Sequence, residues 1–203
     1  MNWLAHVFLS EQSIDFQVGN FIADPLKAKP WECASIEISR GMKTHILIDS
    51  FSDKHEAFKR SKKRLKEKGL LKGIIVDFTY DYLLIKNWDK FSNIAFDEFT
   101  SIFYKQANLA KLNYPQRPKE IVSNMIQRDL LNYSDLEHLR QAFTRLDRRL
   151  SPKLAQRDSA ISYYEIVCEK MPQLEEDFLE FFPALIKEAT KDLEAKRLKH
   201  IKL

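Results

Sequence analysis

Phe96-Asp97-Glu98-Phe99-Thr100-Ser101-Ile102-Phe103-Tyr104-Lys105-Gln106-Ala107 decides the fold class. Phe96, Phe99, Thr100, Phe103, Tyr104 and Ala107 recur at three- and four-residue spacing, the period of one helical face. Phe178, Phe181, Phe182, Leu185 and Ile186 repeat that pattern near the other end of the chain. Ser134-Asp135-Leu136-Glu137 reads as a capping box that opens a helix toward Leu150, with Pro152 as its stop. Four glycines, at 19, 41, 69 and 73, serve all 203 residues, too few turn glycines for a β-rich chain of this length. Helices are expected near 2–10, 12–23, 33–53, 55–68, 73–88, 95–111, 118–131 and 135–149, with one or two more from 158 to 198. The chain therefore reads as all-α: a single helical-bundle domain over 1–203, its chemistry in about 1–90, and a fraying basic tail over about 196–203.

Composition excludes several classes. A charged fraction of 31% argues against a membrane protein, and so does a mean hydropathy of -0.41. The longest apolar run, Gly73 to Ile85, is broken by Asp77 and Asp81 and falls short of the ~18 residues a spanning helix needs. Met1-Asn2-Trp3-Leu4-Ala5-His6 carries neither a basic stretch nor a cleavage site, so no secretory signal is expected. Two distant cysteines, Cys33 and Cys168, read as buried small hydrophobes in a reducing cytoplasm. A formal charge of +4 is mild and does not mark a dedicated nucleic-acid binder.

His and acid residues recur inside otherwise apolar helical stretches. His6 lies in Trp3-Leu4-Ala5-His6-Val7-Phe8-Leu9, and Asp24 ends Gly19-Asn20-Phe21-Ile22-Ala23-Asp24. His45, Asp49 and Asp53 lie in Thr44-His45-Ile46-Leu47-Ile48-Asp49-Ser50-Phe51-Ser52-Asp53, and Asp77 and Asp81 in Ile74-Ile75-Val76-Asp77-Phe78-Thr79-Tyr80-Asp81-Tyr82. Residues four apart share a helix face, so His45 points with Asp49, and Asp77 with Asp81. An acid in an apolar helix costs several kcal/mol unless it is paired or holds a cation. Imidazoles and carboxylates gathered on facing helices are a common divalent-metal site, and such an ion meets the needs of phosphodiester hydrolysis. Each residue also has a plainer reading. His6 alone fits a satisfied core histidine, Asp24 a turn before Pro25, and Asp53 a cap or surface acid. His55, His138 and His200 lie in polar surroundings and read as surface residues.

These segments resemble the acyl carrier protein phosphodiesterase family. Asn2-Trp3-Leu4-Ala5-His6 is similar to its opening, and Gly19-Asn20-Phe21-Ile22-Ala23-Asp24 to its second motif. His45-Ile46-Leu47-Ile48-Asp49-Ser50-Phe51-Ser52-Asp53-Lys54-His55 is similar to its most telling stretch, and Asp77-Phe78-Thr79-Tyr80-Asp81-Tyr82-Leu83-Leu84 to the next. The resemblance implies an all-helical fold distantly related to the HD-domain metal-dependent phosphohydrolases, although no adjacent His-Asp doublet occurs here. It implies hydrolysis of holo-acyl carrier protein to the apo form and 4′-phosphopantetheine by a metal-activated water, within fatty acid and lipid metabolism. Manganese is the typical ion, with magnesium or iron as alternatives. On that footing His6, Asp24, His45, Asp77 and Asp81 are expected as ligands, with Asp49 and Asp53 orienting them or moving protons. Tyr82 and Asn87 depart from the family, since histidine is expected at both places.

The expected partner is the acidic carrier protein. Lys59, Arg60, Lys62, Lys63, Arg64 and Lys66 form a basic run beside the site, read either as a docking face or as a solvated helix. A second cluster, Arg145, Arg148, Arg149, Lys153 and Arg157, suits the same partner or a phosphate. Neither carries the interleaved aromatics of a nucleic-acid platform. Two other functions fit the motifs: an HD-type hydrolase of nucleotides or other small phosphodiesters, and a non-catalytic helical module for an acidic partner.

Overall fold

In a computed structural model, residues 3–202 are described, and the spacing of apolar residues is realised as helices throughout. In chain order these are α1 (Trp3–Phe8), α2 (Ile14–Ile22), α3 (Ile36–Lys54), α4 (Glu56–Leu65), α5 (Lys72–Lys86), α6 (Trp88–Phe91), α7 (Phe96–Ala110), α8 (Gln116–Gln127), α9 (Leu136–Asp147), α10 (Pro152–Ala155), α11 (Tyr164–Glu169) and α12 (Met171–Thr190). The all-α expectation holds. Among the described residues, one antiparallel bridge, Ser92 to Ile201, is the whole of the β-type pairing. No described helix is long and apolar enough to cross a membrane.

Helix ends follow local chemistry. Ser35 caps α3 by accepting the Ile38 amide, and Asp135 caps α9 by accepting the His138 amide at 2.7 Å. The cap is therefore one residue later than the capping-box reading of Ser134. Pro152 opens a short helix of its own, α10, capped by Ser151, because proline is well tolerated at a first turn. Cys33 is exposed, with a positive φ of 61°, so it is not the buried residue expected.

The aromatic stripe of α12 centres the core. Phe178 meets Tyr80 at 5.2 Å, and Phe182 meets Phe91 at 4.9 Å and Phe8 at 6.1 Å between ring centroids. α1 is thus packed into the core by its own Phe8, and the same last turn carries His6. Residues 198–202 do not fray. Leu198, His200 and Ile201 are buried, and the Lys202 amide donates to the Phe91 carbonyl at 2.7 Å. His200, expected at the surface, lies between Phe8 and Phe99 with Nε2–H donating to the Phe8 carbonyl at 2.7 Å.

Candidate metal centre

α2 and α3 make the closest helix contact in the site because each offers a glycine at the crossing. A Cβ on Gly19 would collide with the Ile38 carbonyl, and one on Gly41 with the Phe16 carbonyl. This approach carries His45 against the end of α2. There its Nδ1–H donates to the Asn20 carbonyl at 2.7 Å, one of the last-turn carbonyls that lack helical donors. α1 lies alongside and stacks His6 on His45, with centroids 3.9 Å apart and planes 16° from parallel.

The protons can be assigned from oxygen partners. Asn20 donates its amide Nδ2 to the His6 carbonyl at 2.8 Å and to Ser10 Oγ at 2.9 Å. Its Oδ1 therefore faces His6 Nδ1 at 2.8 Å, and Nδ1–H must be the donor. His6 Nε2 lies 3.3 Å from an Asp49 oxygen, and His45 Nε2 lies 3.1 Å from the other Asp49 oxygen and 3.1 Å from Asp24. Burial, and then the neighbouring His45, pull His6 down to about 4. Burial opposes charge on His45 too, but its bonds to Asp24 and Asp49 outweigh this and lift it to about 9. Asp49 is held well below the ordinary carboxylate range: burial resists ionisation, and the two imidazoles overcome it. Asp24 is held low first by its bond to His45.

A neutral His6 thus turns the lone pair of Nε2 toward a carboxylate oxygen. That nitrogen and the Asp49 oxygen 3.3 Å from it are both atoms able to bind a cation. His6, His45 and Asp49 each offer one ligand atom, all within 4.8 Å of one another. Two imidazole nitrogens and a carboxylate suit Mn²⁺, Fe²⁺ or Zn²⁺, so the residues present fit a divalent ion.

The other expected site residues divide. Asp24 stands at the rim, largely exposed. Asp77 lines the same cleft as His6 and His45, and burial pushes its carboxyl up. Asp81 does not belong to the ligand group. It is fully buried and accepts the Leu4 amide at 2.9 Å and the Ala5 amide at 3.3 Å, so it anchors the start of α1 and through it His6. Asp53 is exposed, sits 3.5 Å from Lys62 and does not line the cleft. Asp49, expected beside the ligands, is instead in the group itself. Tyr82 and Asn87 do not line the cleft; Asn87 Nδ2 donates to Glu175 at 2.8 Å, outside it.

The cleft, about 290 Å³, also holds a pair of side chains from far along the chain, Arg145 and Arg149. Residue spacing near the His-Asp motifs carries no sign of them, because α9 reaches the cleft only through the tertiary fold. Trp3, Ile74, Phe78, Leu130 and Leu146 give it an apolar wall. The basic run of α4 is largely committed elsewhere. Arg60 and Arg64 bind the buried Asp177 at 2.6 and 2.7 Å, Lys62 lies over the Phe58 ring, and Lys66 lies over the Tyr163 ring. Lys59 pairs with Glu56 at 2.9 Å, and Lys63 remains exposed. The helix is therefore mostly a clasp to α12, not an open docking face.

An all-helical protein with a two-imidazole, one-carboxylate group beneath a cleft with two arginines is the class defined so far. The profile of the acyl carrier protein phosphodiesterase family matches residues 1–185, and the chain belongs to that family. Among curated relatives, the acyl carrier protein phosphodiesterase of Escherichia coli O6:H1 (strain CFT073) is 24% identical over 194 residues, covering 94% of this chain and 98% of its own. The protein of the same name from Yersinia pestis is 26% identical over 192 residues, covering 93% and 97%. That from Photorhabdus laumondii is 24% identical over 204 residues, covering 93% and 95%. No solved structure matches the chain.

Proposed function

We propose that this protein hydrolyses holo-acyl carrier protein to the apo form and 4′-phosphopantetheine. The observation that carries this reading is that one cleft is lined by His6 and His45, by Asp24 and Asp77, and by Arg145 and Arg149. Family membership and the names of the relatives supply the substrate. His6, His45 and Asp49 are the residues that would hold a divalent ion, manganese first and magnesium or iron as alternatives. When bound, such an ion neutralises phosphoryl charge and makes water more acidic.

The chain's own residues do the rest. Arg145 and Arg149 present planar N–H forks to the non-bridging phosphoryl oxygens. Asp24 fixes the His45 ring through Nε2 at 3.1 Å. The oxygen of water joins phosphorus and keeps one proton while its other passes to solvent; the bond from phosphorus to the serine oxygen breaks, and that oxygen takes up a proton from a donor that solvent later reloads. Asp77, with its carboxyl raised by burial, is suited to deliver it. The apolar wall flanks the pantetheine arm, and the carrier approaches over the exposed Arg148, Lys153 and Arg157 beside the cleft. Charge attraction there makes association sensitive to salt.

Intact-mass measurement of holo-carrier incubated with the protein tests the reading. The phosphopantetheine mass is expected to be lost with Mn²⁺ and retained with EDTA. Retention across Mn²⁺, Mg²⁺ and Fe²⁺ would sink it.

A further inference from the structure

Asn20 touches both imidazoles, and neither the motif around it nor the chemistry above gives it a part. It is wholly buried, and its polar atoms divide cleanly between donors and acceptors. The side-chain amide donates to the His6 carbonyl at 2.8 Å and to Ser10 Oγ at 2.9 Å, and Ser10 itself donates to the His6 carbonyl at 2.8 Å. This arrangement forbids the flipped amide, which would set oxygen against oxygen. The side-chain Oδ1 then faces His6 Nδ1 at 2.8 Å, and the main-chain carbonyl of the same residue faces His45 Nδ1 at 2.7 Å. Both contacts are to acceptors only, so both rings must put a proton on Nδ1.

The alternative for His6 is chemically attractive, which is why a lock matters. With the proton on Nε2, His6 would donate to Asp49, 3.3 Å away, and the nitrogen that faces the cleft would no longer offer a lone pair. We propose that Asn20 is a positioning residue whose side chain holds the neutral His6 ring in the Nδ1–H form, so that His6 Nε2 keeps its lone pair toward the cleft, while its main-chain carbonyl fixes the proton on His45 Nδ1. The tautomer assignment stands independently of the metal; only its consequence for metal affinity rests on the function proposed above.

Two-dimensional NMR of ¹⁵N-histidine protein in EDTA reads the tautomer, with His6 signals identified by their loss in His6→Gln. In the wild type the neutral His6 ring is expected in the Nδ1–H form. Asn20→Ala is expected to move it to the Nε2–H form and to weaken Mn²⁺ binding in calorimetry by ~10–100-fold, the usual effect of losing a partner behind a ligand. Wild-type His6 in the Nε2–H form overturns the proposal without any variant having to fold. So does Asn20→Ala with a lower melting point but an unchanged tautomer. A wild type with the expected tautomer that binds no Mn²⁺ leaves the lock standing and removes the metal reading instead.

Discussion

His45 and Asp49 are joined through Nε2 at 3.1 Å, and a four-residue helical spacing is enough to foresee that. On the function proposed above, replacing either with alanine is expected to abolish hydrolysis, to weaken Mn²⁺ binding by at least ~10–100-fold, and to erase the rise in Tm expected when Mn²⁺ is added to the wild type. A variant that keeps its Mn²⁺-dependent rise would put the centre elsewhere. Asp81 shares the same type of spacing with Asp77, yet the periodicity reports a face and not what the face meets. Here it meets the Leu4 and Ala5 amides, and burial pushes its carboxyl up to about 7 against the pull of those two donors. Because the folded value lies above the ordinary carboxylate range, the native state holds a proton that the unfolded chain has released. Stability from this group is complete below about pH 4 and is lost as pH rises through about 7. Asp81→Asn should flatten that slope in melting curves while leaving the protein folded at pH 8. Asp81→Ala should cost about 1–3 kcal/mol at every pH, because it strands two buried amides. An alanine variant with unchanged melting but lost Mn²⁺ binding would return Asp81 to the ion.

Helix positions were largely legible, since α3, α5 and α7 fall close to the apolar periods that announce them. How the helices approach one another was not, because a glycine in sequence does not say whether it faces a neighbour or water. Gly41 and Gly73 make the contrast. A methyl on Gly41 meets the Phe16 carbonyl and the Asn20 amide nitrogen, both backbone, whereas one on Gly73 meets nothing within 4 Å. Gly41→Ala is expected to force α2 from α3, at about 1–3 kcal/mol for an overpacked contact, and to loosen the His45–Asn20 bond on which the site depends. Gly73→Ala, inside α5, should leave stability unchanged or raise it by about 0.5–1 kcal/mol. Chemical denaturation and Mn²⁺ titration of the pair check both effects. Equal stability in the two variants would mean that the α2–α3 approach is looser than drawn. Asp177 illustrates the same blindness: it takes Arg60 and Arg64 out of an apparently open basic face from 117 and 113 residues away.

At the scale of the whole molecule, the end of the chain closes over its beginning. Glu11, fully buried, accepts from Arg40 and Arg197 and from the Glu194 amide, while His200 donates to the Phe8 carbonyl 192 residues earlier. Local composition made 196–203 look like a loose basic tail because both partners lie at the opposite end of the sequence. Removing residues 196–203 should uncover Phe8 and Phe99 and forfeit the burial of Leu198 and Ile201, about 1.5–3 kcal/mol for each side chain. Phe8 and His6 share α1, so Mn²⁺ affinity should fall with stability. The clasp also sets an acid limit. Burial lowers the pKa of His200, and its bond to Phe8 only partly offsets this, so the folded state keeps the ring neutral where the unfolded chain would protonate it. The stability this ring contributes is present above about pH 6.5 and declines as pH falls below it. His200→Phe should lose the hydrogen bond, about 1 kcal/mol at pH 8, yet shed less stability than the wild type between pH 7 and pH 5. Melting curves across that range decide the matter: parallel curves for the two proteins would take His200 out of the acid response, and a truncated chain that melts with the wild type would reduce the clasp to a passive contact.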